Sequence, residues 1–181
     1  MLERLIVSGF GGQGVLFLCR VVAQAMMHAG HNVTYFPAYG PEVRGGRANC
    51  HVIVSSGEIS SPLVTQADAL VAMNQASWDY FLPSLVPDGL AVINASLAAP
   101  LGGQPTQRLV AVRATEIANG LGDVRVTNMV MLGAYNHARR LLGLDKLLEH
   151  LRDALGPSKA AFFDLNRQAI ERGLEAAEAL Q

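Results

Sequence analysis

Apolar positions in this chain have two textures: short continuous runs bounded by glycine or proline, and longer stretches in which they return every three to four residues. The opening segment "ERLIVSGFGGQGVLFLCRVVAQAMMHAG" contains both. It predicts a strand over Leu5–Ser8, a glycine turn, and a helix from Val15 that Gly30 closes as a left-handed cap. "HNVTYFP" predicts a second strand stopped by Pro37. "NCHVIVSSGEISSP" predicts a hairpin in which Cys50, Val52 and Val54 alternate, a Ser-Gly turn comes next, and a short return strand ends at Pro62. "ADALVAMN" and "GLAVINAS" are unbroken apolar runs of the kind found in a parallel sheet covered on both faces, with "QASWDYFLPSL" as the helix between them.

"AAPLGGQPTQ" is a loop by composition, and "RLVAVRA" predicts one more strand. From Thr115 the pattern turns helical through "TEIANGLG", "VTNMVMLGAYNHARRLLG" and "DKLLEHLRDALG". In the last segment, "SKAAFFDLNRQAIERGLEAAEAL", Ile170, Leu174 and Ala177 share one face with charges opposite. No repeat, linker or low-complexity stretch divides this order. Strands alternating with helices, then a helical end, predict one domain over residues 1–181. Its class is α/β: a Rossmann-like, doubly wound, mostly parallel sheet with a hairpin insertion and C-terminal helices.

Composition narrows the function classes. Half of the 181 residues are apolar and 16% are charged, enough to fill a substantial core. A formal charge of −1 supplies no general field for nucleic acid or an anionic membrane, so neither is an expected partner and any anion site must be local. No basic leader with an apolar run and a cleavage site opens the sequence, and Arg20 interrupts the longest early apolar stretch. A cytoplasmic protein that does not span a membrane is the expectation. Cys19 and Cys50 lack C-x-x-C spacing and lie in apolar segments, which reads as two small buried hydrophobes in a reducing compartment.

Gly9, Gly11 and Gly14 complete G-x-G-x-x-G directly after a strand and at the start of a helix. Glycine there permits a tight turn and lets a phosphate approach bare backbone, where free N–H groups and the helix dipole are positive. Packing of the crossover alone would also account for it. A dinucleotide enzyme would carry Asp or Glu at the end of the second strand, but Tyr35, Phe36 and Pro37 stand there, which argues against NAD. The strand runs instead into the glycine-rich segment "PAYGPEVRGGRAN" at 37–49. Arg44 and Arg47 offer planar forks to phosphate or carboxylate, Gly40, Gly45 and Gly46 allow close approach, and Glu42 would orient an arginine. If the first two strands are parallel neighbours, both glycine-rich loops leave the same edge of the sheet, where open α/β sheets bind ligands. The alternative is a solvated loop in which Glu42 pairs with an arginine and nothing binds. Two arginines without interleaved aromatics do not make a nucleic-acid patch.

Read together, "GFGGQGV", "YGPEVRGG", "ISSPLVTQADALVAMNQ", "TNMVMLGAY" and "NRQAIERG" resemble, in order along the chain, the gamma subunit of the 2-oxoacid:ferredoxin oxidoreductases. That family includes pyruvate, 2-oxoglutarate, branched-chain and indolepyruvate enzymes. The resemblance implies a Rossmann-like subunit that completes a coenzyme A-dependent oxidative decarboxylase, with 2-oxoglutarate slightly favoured as substrate. Thiamine diphosphate, magnesium and iron–sulfur clusters would sit on partner alpha, beta and ferredoxin-like delta subunits, and ferredoxin would take the electrons. Gly9, Gly11, Gly12, Gln13 and Gly14, with Tyr39, Glu42, Arg44, Gly45 and Gly46, would contact coenzyme A or a partner subunit. This chain would bind no cofactor firmly, and an isolated copy could pair with itself to cover apolar surface.

The residues agree on several counts. Two separate cysteines cannot ligate a four-cysteine cluster, and no G-D-G with a distant asparagine provides a thiamine diphosphate magnesium site. No G-x-S-x-G elbow or Cys-His pairing supplies a nucleophile, so no catalytic residue is expected in this chain. His28, His31, His51, His137 and His150 lack metal-ligand spacing, and no metal site is expected. Asp68, Asn74 and Gln75 flank a strand and read best as turn and cap residues, Asn128 as a cap or buried amide contact, and Met129, Met131 and Leu132 as core or interface. A self-sufficient NAD(P) or flavin enzyme, and a purely structural assembly subunit, are the competing readings.

Overall fold

Residues 1–39, 46–101 and 107–179 are described by a computed structural model, the side chain of Tyr39 excepted. The strands are β1 (Leu2–Phe10), β2 (Asn32–Tyr39), β3 (Arg47–Ser55), β4 (Ala67–Ala72), β5 (Leu85–Asn94) and β6 (Arg108–Val112). The helices are α1 (Val15–His28), α2 (Gln75–Phe81), α3 (Ala114–Gly120), α4 (Thr127–Arg139), α5 (Leu144–Leu155) and α6 (Phe163–Glu178). The strands form one sheet in the order β2-β3-β1-β4-β5-β6. β1, β4, β5 and β6 run parallel, while β3 is antiparallel to both β1 and β2.

Three sequence expectations change here. β3 lies between β1 and β2, so the first two strands share a direction but are not neighbours. The hairpin is β2–β3 rather than a pair within 49–62, and the Ser-Gly turn leads into an irregular segment that runs to β4. β2 continues through Pro37 to Tyr39 because it is an edge strand, where every second N–H points away from the sheet and a missing donor costs no ladder bond. β4, as expected from its unbroken apolar run, is buried on both sides.

The two faces of the sheet are covered unequally. On one, Leu5, Val7, Cys50, Val52, Val71 and Val92 pack under α1, α3, α4, α5 and α6. On the other, Ile6, Ile53, Leu70, Ala91 and Ile93 pack with Trp78 and Phe81 of the seven-residue α2, with the segment bearing Ile59 and Val64, and with Ala98. On the thicker face α4 and α6 cross in backbone contact. A Cβ on Gly133 would stand 2.0 Å from the Ile170 carbonyl oxygen, and one on Gly173 would stand 1.9 Å from that of Val130. Glycine is weak in a helix interior by about 1 kcal/mol, so these two are explained by the close approach they permit. α6 buries Asn166, Ala169, Ile170, Gly173 and Ala177 against this crossing.

At the amino ends of the parallel strands, polar groups tie α4 to the sheet. The Tyr135 hydroxyl donates to Glu3 Oε1 at 2.9 Å, and Arg139 Nε lies 2.9 Å from the same oxygen as an ion pair without hydrogen-bond alignment. Arg139 also donates to the Asp68 carbonyl, while Arg4 grips the Asp68 carboxylate at 2.8 and 2.9 Å. Burial raises the Glu3 carboxyl, and the Arg139 charge and Tyr135 hydroxyl only partly offset it. Burial also raises Asp68, but the Arg4 hydrogen bonds and charge together bring it below the ordinary carboxylate value. Asp68 is thus an anchor at the end of the sheet opposite the glycine turn.

Candidate functional site

β1 delivers the chain to the carboxyl rim of the sheet at Phe10, and residues 11–14 turn it into α1. Gly12 has φ +95° with nothing within 4 Å of where its Cβ would stand, so this part of the turn faces open space. Gly14, at φ +74°, precedes α1, and a Cβ there would fall 2.3 Å from Asn128 Nδ2. Both positions need glycine, one for conformation and one also for room.

Two of the turn's donors are already used. Gly11 N donates to Gly46 O at 3.0 Å, and Gln13 N to Phe10 O at 3.1 Å. The first bond fastens the glycine turn to the end of the β2–β3 loop. Gly46, the last residue of the second glycine-rich motif, therefore sits at the rim beside the turn, because the hairpin returns β3 next to β1 with Arg47 opposite Phe10. Gly40, Glu42, Arg44 and Gly45 lie outside the described residues.

Side-chain amides lace the rim together. Gln13 Oε1 accepts from Phe10 N at 2.7 Å and from Asn74 Nδ2 at 2.8 Å. Asn74 Oδ1 in turn accepts from Ser77 N at 2.9 Å, which makes Asn74 the N-cap of α2. Asn94 Nδ2 reaches the Met73 carbonyl and Thr115 Oγ1 at 3.2 and 2.8 Å, and Asn128 Nδ2 donates to Gly14 O at 3.1 Å. Bonds between neutral groups fix the turn without adding charge. A cavity of about 160 Å³ opens beside it, lined by Gly12, Gln13, Met73, Leu97, Thr115, Val124, Arg125 and Thr127. Ligand pockets usually run from roughly 300 Å³ upward, so this one has room for a phosphate or a thin tail but not for a whole dinucleotide. The roomier hollows, of about 520 and 510 Å³, lie along α5, away from the strand ends.

Other candidates fall elsewhere. Gln75 Nε2 donates to Asp79 within α2, and Gln75 Oε1 accepts from Ala99 N. Met129, Met131 and Leu132 are fully buried core. Cys19 and Cys50 are buried free thiols, and burial pushes Cys19 well up. His51 Nδ1 accepts from Val64 N at 3.0 Å, and burial lowers its pKa. His28 and His150 meet Nδ1 to Nδ1 at 3.2 Å between α1 and α5. Among the described residues, no group of three or more His, Cys, Asp or Glu could hold a metal ion, and no helix is long and apolar enough to cross a membrane. Arg47 does not turn to the rim: its guanidinium lies 3.7 Å from the centre of the Tyr80 ring. Asn94, Thr115 and the Arg125–Thr127 stretch carry no motif that marks them in the sequence, since they sit in three separate segments that only the rim joins.

A glycine turn pinned to a hairpin loop across an inserted antiparallel strand, on a sheet covered heavily on one side, defines a class of chain. Residues 4–176 match the pyruvate ferredoxin/flavodoxin oxidoreductase family, and this chain belongs to it. It is 39% identical over 175 residues to the ketoisovalerate oxidoreductase subunit VorA of Methanothermobacter thermautotrophicus, covering 95% of this chain but 36% of that relative. It is 29% identical over 180 residues to the 2-oxoglutarate synthase subunit KorC of the same organism, covering 96% of this chain and 94% of that one. A crystal structure of the keto/oxoacid ferredoxin oxidoreductase gamma subunit from Geobacter sulfurreducens superposes with a TM-score of 0.82 at 29% identity, covering 98% of this chain and 99% of that one.

Proposed function

We propose that this chain is the gamma-type component of a 2-oxoacid:ferredoxin oxidoreductase, contributing the rim at Gly9–Gly14 and Tyr39–Gly46 to coenzyme A handling in an assembled enzyme. The observation that supports it most is the Gly11–Gly46 bond, which joins the first glycine-rich motif to the last residue of the second at the carboxyl ends of the parallel strands. Thiamine diphosphate, magnesium and the iron–sulfur relay belong to other chains in this reading, consistent with the two cysteines of the sequence. Coenzyme A, when bound, supplies the thiol that accepts the acyl group.

The residues present fit part of that ligand. The open backbone at Gly12 and the small cavity beside it take a phosphate or the narrow end of the molecule, and the α1 dipole favours an anion there. Arg44 would neutralise the anion, with Glu42 holding its fork in place. Gln13, tied to Asn74, holds the turn in one shape before a ligand arrives, which would lower the ordering cost of binding. In this reading the chain does not choose among oxoacids, since relatives named for ketoisovalerate and for 2-oxoglutarate match nearly all of it.

The test is Arg44→Ala in the assembled enzyme. Loss of a charged hydrogen bond should raise the coenzyme A KM roughly tenfold or more, with subunits still co-purifying. Loss of co-purification with an unchanged KM would move the loop to subunit docking. Unchanged KM and assembly, or a thermal shift of the lone chain with NAD(P) or a flavin, would overturn the reading.

A further inference from the structure

The α2 face ends in an aromatic run in which Phe81 and His51 are buried while Phe10, Phe36 and Tyr80 stand exposed. Phe10 and Arg47 are cross-strand partners at the rim of β1 and β3, on the face shared with Ile6. Arg47 stacks on Tyr80, Tyr80 meets Phe81 edge-on at 4.8 Å, and Phe81, His51 and Phe36 continue the run at 6.3 Å per step. Phe10, Phe36 and Tyr80 are 42%, 39% and 58% exposed. On the opposite face Met27 is exposed on α1, as single apolar side chains commonly are on a protein surface.

We propose that this run docks a second protein, the polypeptide equivalent to the part of VorA that lies outside the match. The inference rests on the reading of the chain as one component of an oxidoreductase. Aromatic side chains and arginine are enriched at the centres of protein interfaces and carry most of their binding energy. The relative supplies the occupant: in VorA a domain like this one is carried with more than its own length of further polypeptide. Charge favours that occupant over a second copy. Among the described residues the run itself holds one formal charge, Arg47, so a two-fold contact centred on it would set Arg47 against its own copy. A different protein can present a carboxylate there. Because Gly11 comes directly after Phe10, a partner seated on the run also borders the glycine turn.

The experiment uses the full chain co-expressed with the complementary subunit, identified by mass spectrometry. Arg47→Glu and the double variant Phe36→Ser, Tyr80→Ser should each weaken the complex at least tenfold while the lone chains melt cooperatively, and Met27→Ser should change it less than twofold. Tyr80→Cys gives a second measurement, since the two native cysteines are buried. A maleimide should label it in the lone chain and be excluded in the complex. Wild-type affinity in the first two variants, labelling at an undiminished rate, or disruption confined to a homodimer would overturn the docking surface and leave the proposed function standing. Failure of the wild-type chain to bind the complementary subunit at all would overturn both.

Discussion

The two faces of the sheet solve different problems. Beneath α1, α3, α4, α5 and α6 the chain finishes its own core, to the point of bringing α4 and α6 together over Gly133 and Gly173. Beneath α2 a seven-residue helix and an irregular segment cover a smaller cluster and leave Phe10, Phe36, Leu63 and Tyr80 in view. The thicker face reaches the rim through Asn128, and the thinner one through Asn74. The thin face is the one proposed above to receive a partner.

That contrast can be broken most forcefully at the α4–α6 crossing. Gly173→Ala should cost about 4–5 kcal/mol, since no flexible side chain can yield to a Cβ aimed at a backbone carbonyl. A thermal melt of the lone chain should fall by roughly 10–20 °C. On the thin face, Trp78→Ala removes a 2% exposed ring and its bond to the Leu101 carbonyl, at about 3–5 kcal/mol by denaturant titration. A cost under about 1 kcal/mol would mean that α2 is not needed for the lone fold. Gln13→Ala leaves Phe10 N and Asn74 Nδ2 without their acceptor and, since the first bond is exposed and the second only part-buried, should cost about 0.5–1.5 kcal/mol. In the assembled enzyme it should raise the coenzyme A KM while leaving the oxoacid KM unchanged.

Acid separates the faces in sign. His51, on the α2 face, has a lowered pKa and accepts from Val64 only when neutral, so its contribution is full above the unfolded value of 6.5 and is lost as pH falls through the folded value. Glu3, beneath α4, has a raised pKa, so between its folded value and 4.5 acidification favours the native state. Denaturant titrations across pH should show stability falling first from 6.5 downward, and His51→Gln should flatten that limb alone. The smallest expected effect is Tyr80→Ser on the lone chain, within about 0.5 kcal/mol, because the ring is mostly solvated until a partner arrives.

Much of this was legible in the pattern of residues. α1 and its Gly30 closure, the doubly buried β4, and the face of α6 come from local periodicity, which the fold keeps. The placement of β3 did not, because strand order depends on pairing between distant segments and the Ser-Gly pair at 56–57 mimicked a hairpin turn. Gln13 was visible as a member of the glycine motif, but its partner Asn74 lies 61 residues away. Gly133 and Gly173 carried a readable signal: glycines inside helical patterns mark either a weakness or a close approach. Arg47 follows Arg44 by three residues in the sequence yet belongs to the aromatic run, since strand alternation sets its direction.

The most direct measurement compares hydrogen exchange in the lone chain with that in the assembled complex. The account predicts that amides in α4 and α6 exchange alike in both, while those of residues 10–14, 47–51 and 75–81 slow at least tenfold on assembly. Equal exchange at those residues, with new protection over α4 and α6 instead, would contradict it.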